Sequence, residues 1–258
     1  MPRQNILNKM KKNFIFIGIV VIMIVGGLVY LTILNYQKAN KERGELLQEF
    51  QSQDITTSPE NPSQSETPQN ETPKTEVTKA LEEKSIVMLI AFRDFRDEEY
   101  FIPRQIFLAA GVKLLLTAST QNGTAIGADG GEASINLLIK DVNVSDFDGV
   151  VFIGGPGTLE YLDNEDSYKI ARTAISQDKL LAAICISPTI LAKAGVLEGK
   201  KATVWSSPMD KSAVKILEDN GAIYQPESVV MDGKIITADG PAAAEDFGMK
   251  IVEVLTGI

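Results

Sequence analysis

The chain has 258 residues, a formal net charge of −9, one cysteine and no histidine. This length suits one large domain or two small ones. The acidic balance argues against nucleic acid as a partner, because phosphate binding needs a basic surface. Without histidine the chain lacks the commonest general base and metal ligand, and a single cysteine excludes both an intrachain disulfide and a thiolate zinc cluster. Any metal site would have to be built from oxygen ligands, and no calcium-loop spacing is present, so we expect no metal and no other cofactor.

The N-terminal region predicts a membrane anchor. A short basic segment, residues 1–13, precedes an apolar run at 14–34 that contains no charged residue. As a helix, this run would span about 32 Å, the thickness of a bilayer core. The slight basic excess before it favours a single-pass membrane protein with an extracytoplasmic C-terminal domain. A cleaved signal peptide remains the alternative, although its apolar core would be shorter and followed by small residues.

Residues 35–84 are predicted to connect this anchor to a folded domain. The first part, 37–53, is compatible with a juxtamembrane helix. From 54 to 79, Ser, Thr, Pro, Glu and Gln dominate the composition. Such a segment cannot bury enough apolar surface to offset the entropy lost on ordering, so we predict a flexible linker. The folded domain is then expected at 85–258.

Within 85–258, short apolar runs alternate with helical patterns. Predicted strands lie at 86–91, 112–117, 149–153, 180–184, 229–231 and 234–237, and predicted helices at 100–110, 165–177, 188–194, 211–220 and 242–255. The Asp232-Gly233 pair between the last two strands is a hairpin signal. This alternation predicts an α/β fold with a mostly parallel sheet between layers of helices. In such sheets, functional sites form beyond the carboxyl ends of the strands.

Cys185 is the residue most suited to chemistry, because it directly follows the predicted strand 180–184. Pro188 fits the first turn of the helix that comes next. A thiol at this junction would face free backbone N–H groups and the positive end of the helix, which favour thiolate and lower the pKa. A sharp turn there would expose the sulfur, as in a nucleophile elbow. The alternative is a small, buried apolar side chain.

Four segments, taken in order, resemble the DJ-1/PfpI family of the class I glutamine amidotransferase-like superfamily. They read IVMLIAFRDFRDEEYFIPRQIFLAAGVKLLL, FDGVVFIGGPGTLEYL, AAICISPTILAKAGVLEGKKAT and GKIITADGPAAAEDFGMKIVEVLTG. The resemblance implies a flavodoxin-like sandwich and a capacity to form homodimers.

The resemblance also implies roles for particular residues. Glu99 is expected to contact the sulfur of Cys185, and the two are the candidate catalytic pair. Like charges repel, so we expect a protonated Glu99 that donates to the sulfur and titrates together with it. Glu98 is the second choice, and either glutamate has the alternative of complementing a helix N-terminus.

Backbone N–H groups are the expected oxyanion hole. The resemblance places the N–H groups of Gly154, Gly155 and Ile186 around the cysteine, where they would bind a developing negative charge. A tight turn that needs positive φ is the alternative reason for the two glycines, and both readings can hold together.

Departures from the family pattern bear on the activity. Ile186 stands where PfpI-type proteases have a histidine, so no Cys–His pair exists and peptidase activity is disfavoured. Trp205 is either a wall of the pocket or a core residue, and Ser206 or Ser207 is a candidate hydrogen-bond donor. Asp239 stands where some relatives carry arginine, which argues against a clamp for anionic substrates.

Three functions follow, in order of preference. The first is glyoxalase- or deglycase-type chemistry, in which Cys185 attacks a small carbonyl compound and Glu99 moves a proton. The second is a redox-sensing or protective protein that uses reversible oxidation of Cys185. The third is a binding or scaffold module without catalysis.

Overall fold

The computed structural model describes residues 81–257. The predicted basic segment, anchor and nearly all of the linker therefore lie outside the described residues. Inside residues 81–257, no helix is both long enough and apolar enough to cross a membrane.

Twelve strands and six α-helices make up the described part of the chain. The strands are β1 (Ser85–Leu89), β2 (Arg93–Phe95), β3 (Leu114–Ser119), β4 (Thr124–Gly127), β5 (Glu132–Ser134), β6 (Leu137–Leu138), β7 (Gly149–Phe152), β8 (Leu180–Ile184), β9 (Lys201–Ala202), β10 (Ile223–Tyr224), β11 (Val229–Asp232) and β12 (Ile235–Ala238). The helices are α1 (Asp97–Ala109), α2 (Thr158–Tyr161), α3 (Glu165–Ser176), α4 (Pro188–Lys193), α5 (Ser212–Asp219) and α6 (Ala244–Thr256).

The main sheet has seven strands in the order β11-β12-β8-β7-β1-β3-β6. Every pairing is parallel except that between β11 and β12, which form the predicted hairpin. The central strands β1, β7 and β8 are almost wholly buried, because helices cover both faces of the sheet. The predicted α/β class with a mostly parallel sheet is confirmed.

The core has two halves, one on each face of the main sheet. Helices α3, α4 and α5 bury apolar side chains on one face. Helices α1 and α6 pack on the other face and contact each other. Gly248 in α6 permits this contact, because a Cβ there would lie 2.8 Å from Ile106 Cδ1. The two halves leave the carboxyl ends of β1, β7, β8 and β12 at one edge of the sheet.

All the predicted strands and helices are present, with shifted boundaries. The second main strand begins at Leu114 rather than at residue 112, and α1 begins at Asp97 rather than at residue 100. A short 3₁₀ turn, Pro241–Ala243, precedes α6 where the helix was predicted to have begun already. Six short strands were not predicted, namely β2, β4, β5, β6, β9 and β10. Three of them, β2, β4 and β5, form a separate small sheet beside the carboxyl end of β1.

Candidate active site around Cys185

Cys185 occupies a strained turn at the end of β8. Its φ is +64°, a left-handed conformation that L-residues other than glycine seldom adopt. Its backbone N–H donates to the Ala238 carbonyl at 2.9 Å, which fixes the turn against β12. The side chain is partly exposed and packs against the core half that holds α1 and α6. The predicted sharp turn is therefore present, and the sulfur is not sealed inside the core.

Glu99 brings a carboxyl group into the same place. It lies in the first turn of α1 and is completely buried. Its Oε2 accepts a hydrogen bond from the Gly154 N–H at 3.1 Å, whereas its Oε1 is buried without a regular hydrogen-bond partner. Burial raises the pKa of Glu99 to about 7, although the Cys185 thiol, Arg96 and the Gly154 N–H lower it. Glu98 is exposed on the other side of the helix turn, so it is not a partner for the sulfur.

The thiol and the carboxyl group affect each other's protonation. Burial raises the pKa of the Cys185 thiol, and the negative charge of Glu99 raises it further. The N–H groups of Gly155 and Ile186 lower it by a smaller amount. The predicted net lowering of the thiol pKa is therefore wrong, because burial and the Glu99 charge outweigh the two N–H groups. Once Glu99 is protonated, its repulsion of the thiolate is gone and its carboxyl group becomes a hydrogen-bond donor.

The two glycines of the loop after β7 have different positions. Gly155 adopts φ +125° and its N–H faces the Cys185 sulfur, as does that of Ile186. Gly154 instead uses its N–H to bind Glu99, so the prediction that it belongs to the oxyanion hole is wrong. Its lack of a side chain matters for another reason. A Cβ on Gly154 would lie 2.5 Å from the Cys185 Cβ and 2.7 Å from Glu99 Oε2.

Trp205 and Ser206 lie beside the cysteine in the segment after β9. The Trp205 N–H donates to the Cys185 carbonyl at 2.8 Å. Because its side chain is 38% exposed, Trp205 is not a core residue. Ser206 Oγ accepts a hydrogen bond from Lys211 Nζ at 3.0 Å, so this hydroxyl is already engaged on the surface. Ser207 Oγ accepts the Asp210 N–H at 3.0 Å and caps a local turn.

Comparison with known proteins agrees with this geometry. The model of the DJ-1/PfpI family matches residues 84–254. The chain belongs to the DJ-1/PfpI family. An uncharacterised protein of Methanocaldococcus jannaschii is 38% identical over 176 residues, which cover 68% of this chain and 84% of that protein.

Two relatives of this DJ-1/PfpI domain carry names that describe an activity. A deglycase of Pyrococcus horikoshii is 30% identical, with 66% of this chain and 98% of the relative covered. A glutathione-independent glyoxalase of Caenorhabditis elegans is 27% identical, with 68% and 90% covered. Among solved structures, a ThiJ/PfpI domain protein of Brachyspira murdochii matches with a TM-score of 0.63 at 34% identity. The match covers 67% of this chain and 97% of that one, so the matched region is a complete fold by itself.

Asp97 supports the DJ-1/PfpI site and was not singled out from the sequence. Its carboxylate accepts the N–H groups of Asp129 at 2.9 Å and Gly131 at 2.6 Å, which ties the β4–β5 turn to the first turn of α1. Arg96 reinforces this connection. Its guanidinium lies 3.3 Å from the Asp129 carboxylate, and its backbone N–H donates to the Gly154 carbonyl. An acidic residue two positions before Glu99 in a helix first turn was the available signal.

Two surface depressions in the described part of the chain lie away from the cysteine. One depression lies between residues 139–144 and α3, and another between β11 and α6. Neither contains Cys185, Glu99 or the glycine loop. The candidate site of this DJ-1/PfpI domain is therefore identified by its chemistry, namely a partly exposed sulfur, a buried carboxyl group and two N–H groups directed at the sulfur.

Proposed function

We propose that this chain is a cysteine-dependent enzyme of the glyoxalase or deglycase type that acts on small carbonyl compounds. The observation that carries the proposal is the convergence of the Glu99 carboxyl group and the N–H groups of Gly155 and Ile186 on the Cys185 sulfur. The names of the two characterised relatives support the same class of reaction.

The first step is addition of sulfur to the aldehyde carbon of a 2-oxoaldehyde. The thiol proton passes to the Glu99 carboxylate, and the sulfur forms a bond to carbon while the carbonyl electron pair moves to oxygen. The N–H groups of Gly155 and Ile186 are placed to bind that oxygen as its negative charge develops. The oxygen then takes the proton from Glu99, which gives a hemithioacetal.

The remaining steps move one hydrogen and consume one water. Glu99 removes the proton from the carbon bonded to sulfur, and the released electron pair forms a carbon–carbon double bond while the electron pair of the neighbouring carbonyl moves to its oxygen. That oxygen takes up a proton, which gives an enediol. A proton is then added to the second carbon, and the hydroxyl on the carbon bonded to sulfur loses its proton and becomes a carbonyl, which yields a thioester of a 2-hydroxy acid. Water cleaves the thioester, releasing the 2-hydroxy acid and restoring the thiol. The net reaction adds water to the oxoaldehyde and needs no external oxidant or reductant.

The protonation state of Glu99 suits this role. A group that both accepts and returns a proton works best when its pKa lies near the working pH. Burial places the pKa of Glu99 at about 7. The carboxyl group therefore exchanges between both forms near neutral pH.

Turnover of methylglyoxal by purified residues 81–258 tests the proposal. We expect lactate to form in wild type and to fall to background in Cys185→Ala. Met209→Ala is the control, because Met209 is 99% exposed and its side chain packs against nothing. Equal rates in wild type and Cys185→Ala contradict the proposal.

Oxidation of Cys185 is the second candidate function. The same two N–H groups would bind the oxygens of a sulfinate, and a protonated Glu99 would donate to one of them. Hydrogen peroxide would convert the thiol to sulfenic acid and water, and a second peroxide would give the sulfinic acid. Mass spectrometry of the intact domain after mild peroxide should show a gain of two oxygens on Cys185. A thiol that stays unmodified argues against this function.

For the full chain we propose anchoring in a lipid bilayer by residues 14–34, with the DJ-1/PfpI domain on the extracytoplasmic side and able to form homodimers. The uncharged 14–34 run supports the anchor. Carbonate extraction of membranes should leave the full chain in the pellet and release a variant that lacks 14–34. Protease protection in sealed vesicles tests the orientation, and sedimentation of residues 81–258 tests the dimer.

A further inference from the structure

Asp239 continues the strand β12 by one residue. Its N–H donates to the Ser228 carbonyl at 3.0 Å, in register with the pairing of Ala238 and Val229. Side chains alternate between the faces of a strand, so Asp239 lies on the same face as Thr237. Thr237 Oγ1 accepts the Thr203 N–H at 2.9 Å, which places this face against the segment that leads to Trp205.

Trp205 lies next to the residue that follows Asp239. A Cβ on Gly240 would lie 3.7 Å from Trp205 Cδ1, so the indole lies over the residue that follows Asp239. The last sheet pair of β8 and β12 is Ile184 with Ala238, which puts Cys185 and Asp239 at neighbouring strand ends. An exposed indole and a carboxylate therefore flank the turn that carries the sulfur.

Asp239 has no cationic partner within residues 81–257, since none of the ion pairs found there includes it. Lys211, in the segment after Trp205, donates to Ser206 Oγ instead. Partial burial raises the pKa of Asp239, because its charged form is poorly solvated.

We propose that Trp205 and Asp239 form a subsite for a positively charged group, an amine or quaternary ammonium, on the carbonyl compound that reacts with Cys185. An indole face attracts a cation through its quadrupole, and a poorly solvated carboxylate gains from a nearby opposite charge. The role in substrate choice rests on the proposed carbonyl chemistry, whereas binding at the subsite can be measured without turnover.

The binding experiment uses Trp205 as its own reporter, because it is the only tryptophan in the chain. Residues 81–258 are titrated with choline and with 3,3-dimethylbutan-1-ol, in which carbon replaces the cationic nitrogen. We expect a saturable change in tryptophan emission with choline. The alcohol should bind with an affinity that is lower by about tenfold or more. Asp239→Asn should weaken choline binding by about tenfold, whereas Glu218→Gln, which removes an exposed charge on α5, should not. Equal affinity for the two ligands, or no saturable change with choline, overturns the subsite.

The turnover experiment separates the subsite from the proposed function. Three phenylglyoxals are compared, bearing a 4-trimethylammonio group, no substituent or a 4-carboxylate. We expect kcat/KM to fall in that order for the wild type. The ratio of kcat/KM for the cationic substrate to that for the anionic one should shrink in Asp239→Asn. The order of the three kcat/KM values should reverse in Asp239→Lys. If choline binds as described but none of the three is converted, the subsite stands and the enzymatic proposal fails. If all three are converted equally, the subsite is wrong and the enzymatic proposal stands.

Discussion

The N–H of Gly154 donates to Oε2 of Glu99 at 3.1 Å and thereby joins the loop after β7 to the first turn of α1. The two residues are 55 positions apart in the sequence. The bond occupies Oε2, whereas Oε1 is buried and has no regular hydrogen-bond partner. One backbone N–H thus fixes the orientation of the carboxyl group that we propose as the proton carrier.

Replacing Glu99 by glutamine should separate thiol reactivity from turnover. The substitution removes the negative charge that raises the pKa of Cys185, so alkylation of the sole cysteine by iodoacetamide at pH 8.5 should become faster. Methylglyoxal turnover should fall by about 10²-fold or more, because an amide cannot carry the proton. Glu98→Gln is the matched control, since Glu98 is exposed. Slower alkylation in Glu99→Gln would show that the carboxylate does not repel the thiolate.

The stability of the domain should depend on pH through Glu99. The folded domain keeps this proton up to about pH 7, because burial raises the pKa of Glu99, whereas the unfolded chain releases it near the ordinary glutamate pKa of 4.5. The stabilising contribution is therefore complete below pH 4.5 and is lost as the pH rises to about 7. The loss amounts to something on the order of 3 kcal/mol in the free energy of unfolding. Between pH 5 and pH 8, the free energy of unfolding measured in urea should fall more for the wild type than for Glu99→Gln. Equal falls in the two proteins would contradict the assignment.

Alanine at Gly154 should destabilise the domain strongly. The new Cβ would lie within 3.0 Å of the Cys185 Cβ, Glu99 Oε2 and the Ile184 carbonyl oxygen, and the backbone atoms among these cannot move aside cheaply. We expect a loss of about 3 kcal/mol or more in the free energy of unfolding. Gly149→Ala, in the same strand-and-loop unit, is the control, because its Cβ would meet nothing closer than 3.6 Å. Equal stability of the two variants in urea would refute the packing argument.

Alanine at Asp97 should release the β4–β5 turn. The carboxylate accepts two backbone N–H groups there, and such charge-assisted bonds contribute about 1.5–3 kcal/mol each when well formed. We expect faster amide hydrogen exchange at Asp129 and Gly131 and a stability loss of about 2 kcal/mol. Glu98→Ala, one residue along the same helix turn, should leave both amides protected. Unchanged exchange in Asp97→Ala would mean that the turn is held by its own strands.

The main architecture was predictable because its signals are local. A few neighbouring residues are enough to recognise the apolar runs of β1, β7 and β8. The same holds for the helical periodicity of α3 and α6. The small β2-β4-β5 sheet was missed, since its strands have three or four residues and depend on pairing across the chain. The position of Cys185 and its partnership with Glu99 came from the turn pattern and the family resemblance together.

Two details of the site could not be predicted from the chain. The first is which of Gly154 and Gly155 directs its N–H at the sulfur. This depends on the backbone dihedral angles, which the sequence of two adjacent glycines does not determine. The direction of the thiol pKa depends on burial, which only the packed structure reveals. The helix N-terminus argued for a lower value, whereas enclosure by the core and the Glu99 charge raise it.

The left-handed backbone of Cys185 has a cost that its neighbours do not share. At φ +64°, the backbone conformation of an L-residue is about 1–2 kcal/mol less favourable than that of glycine. Cys185→Gly should therefore melt at a higher temperature than Cys185→Ala, which retains the Cβ. A lineage with no use for the sulfur would become more stable by exchanging it for glycine.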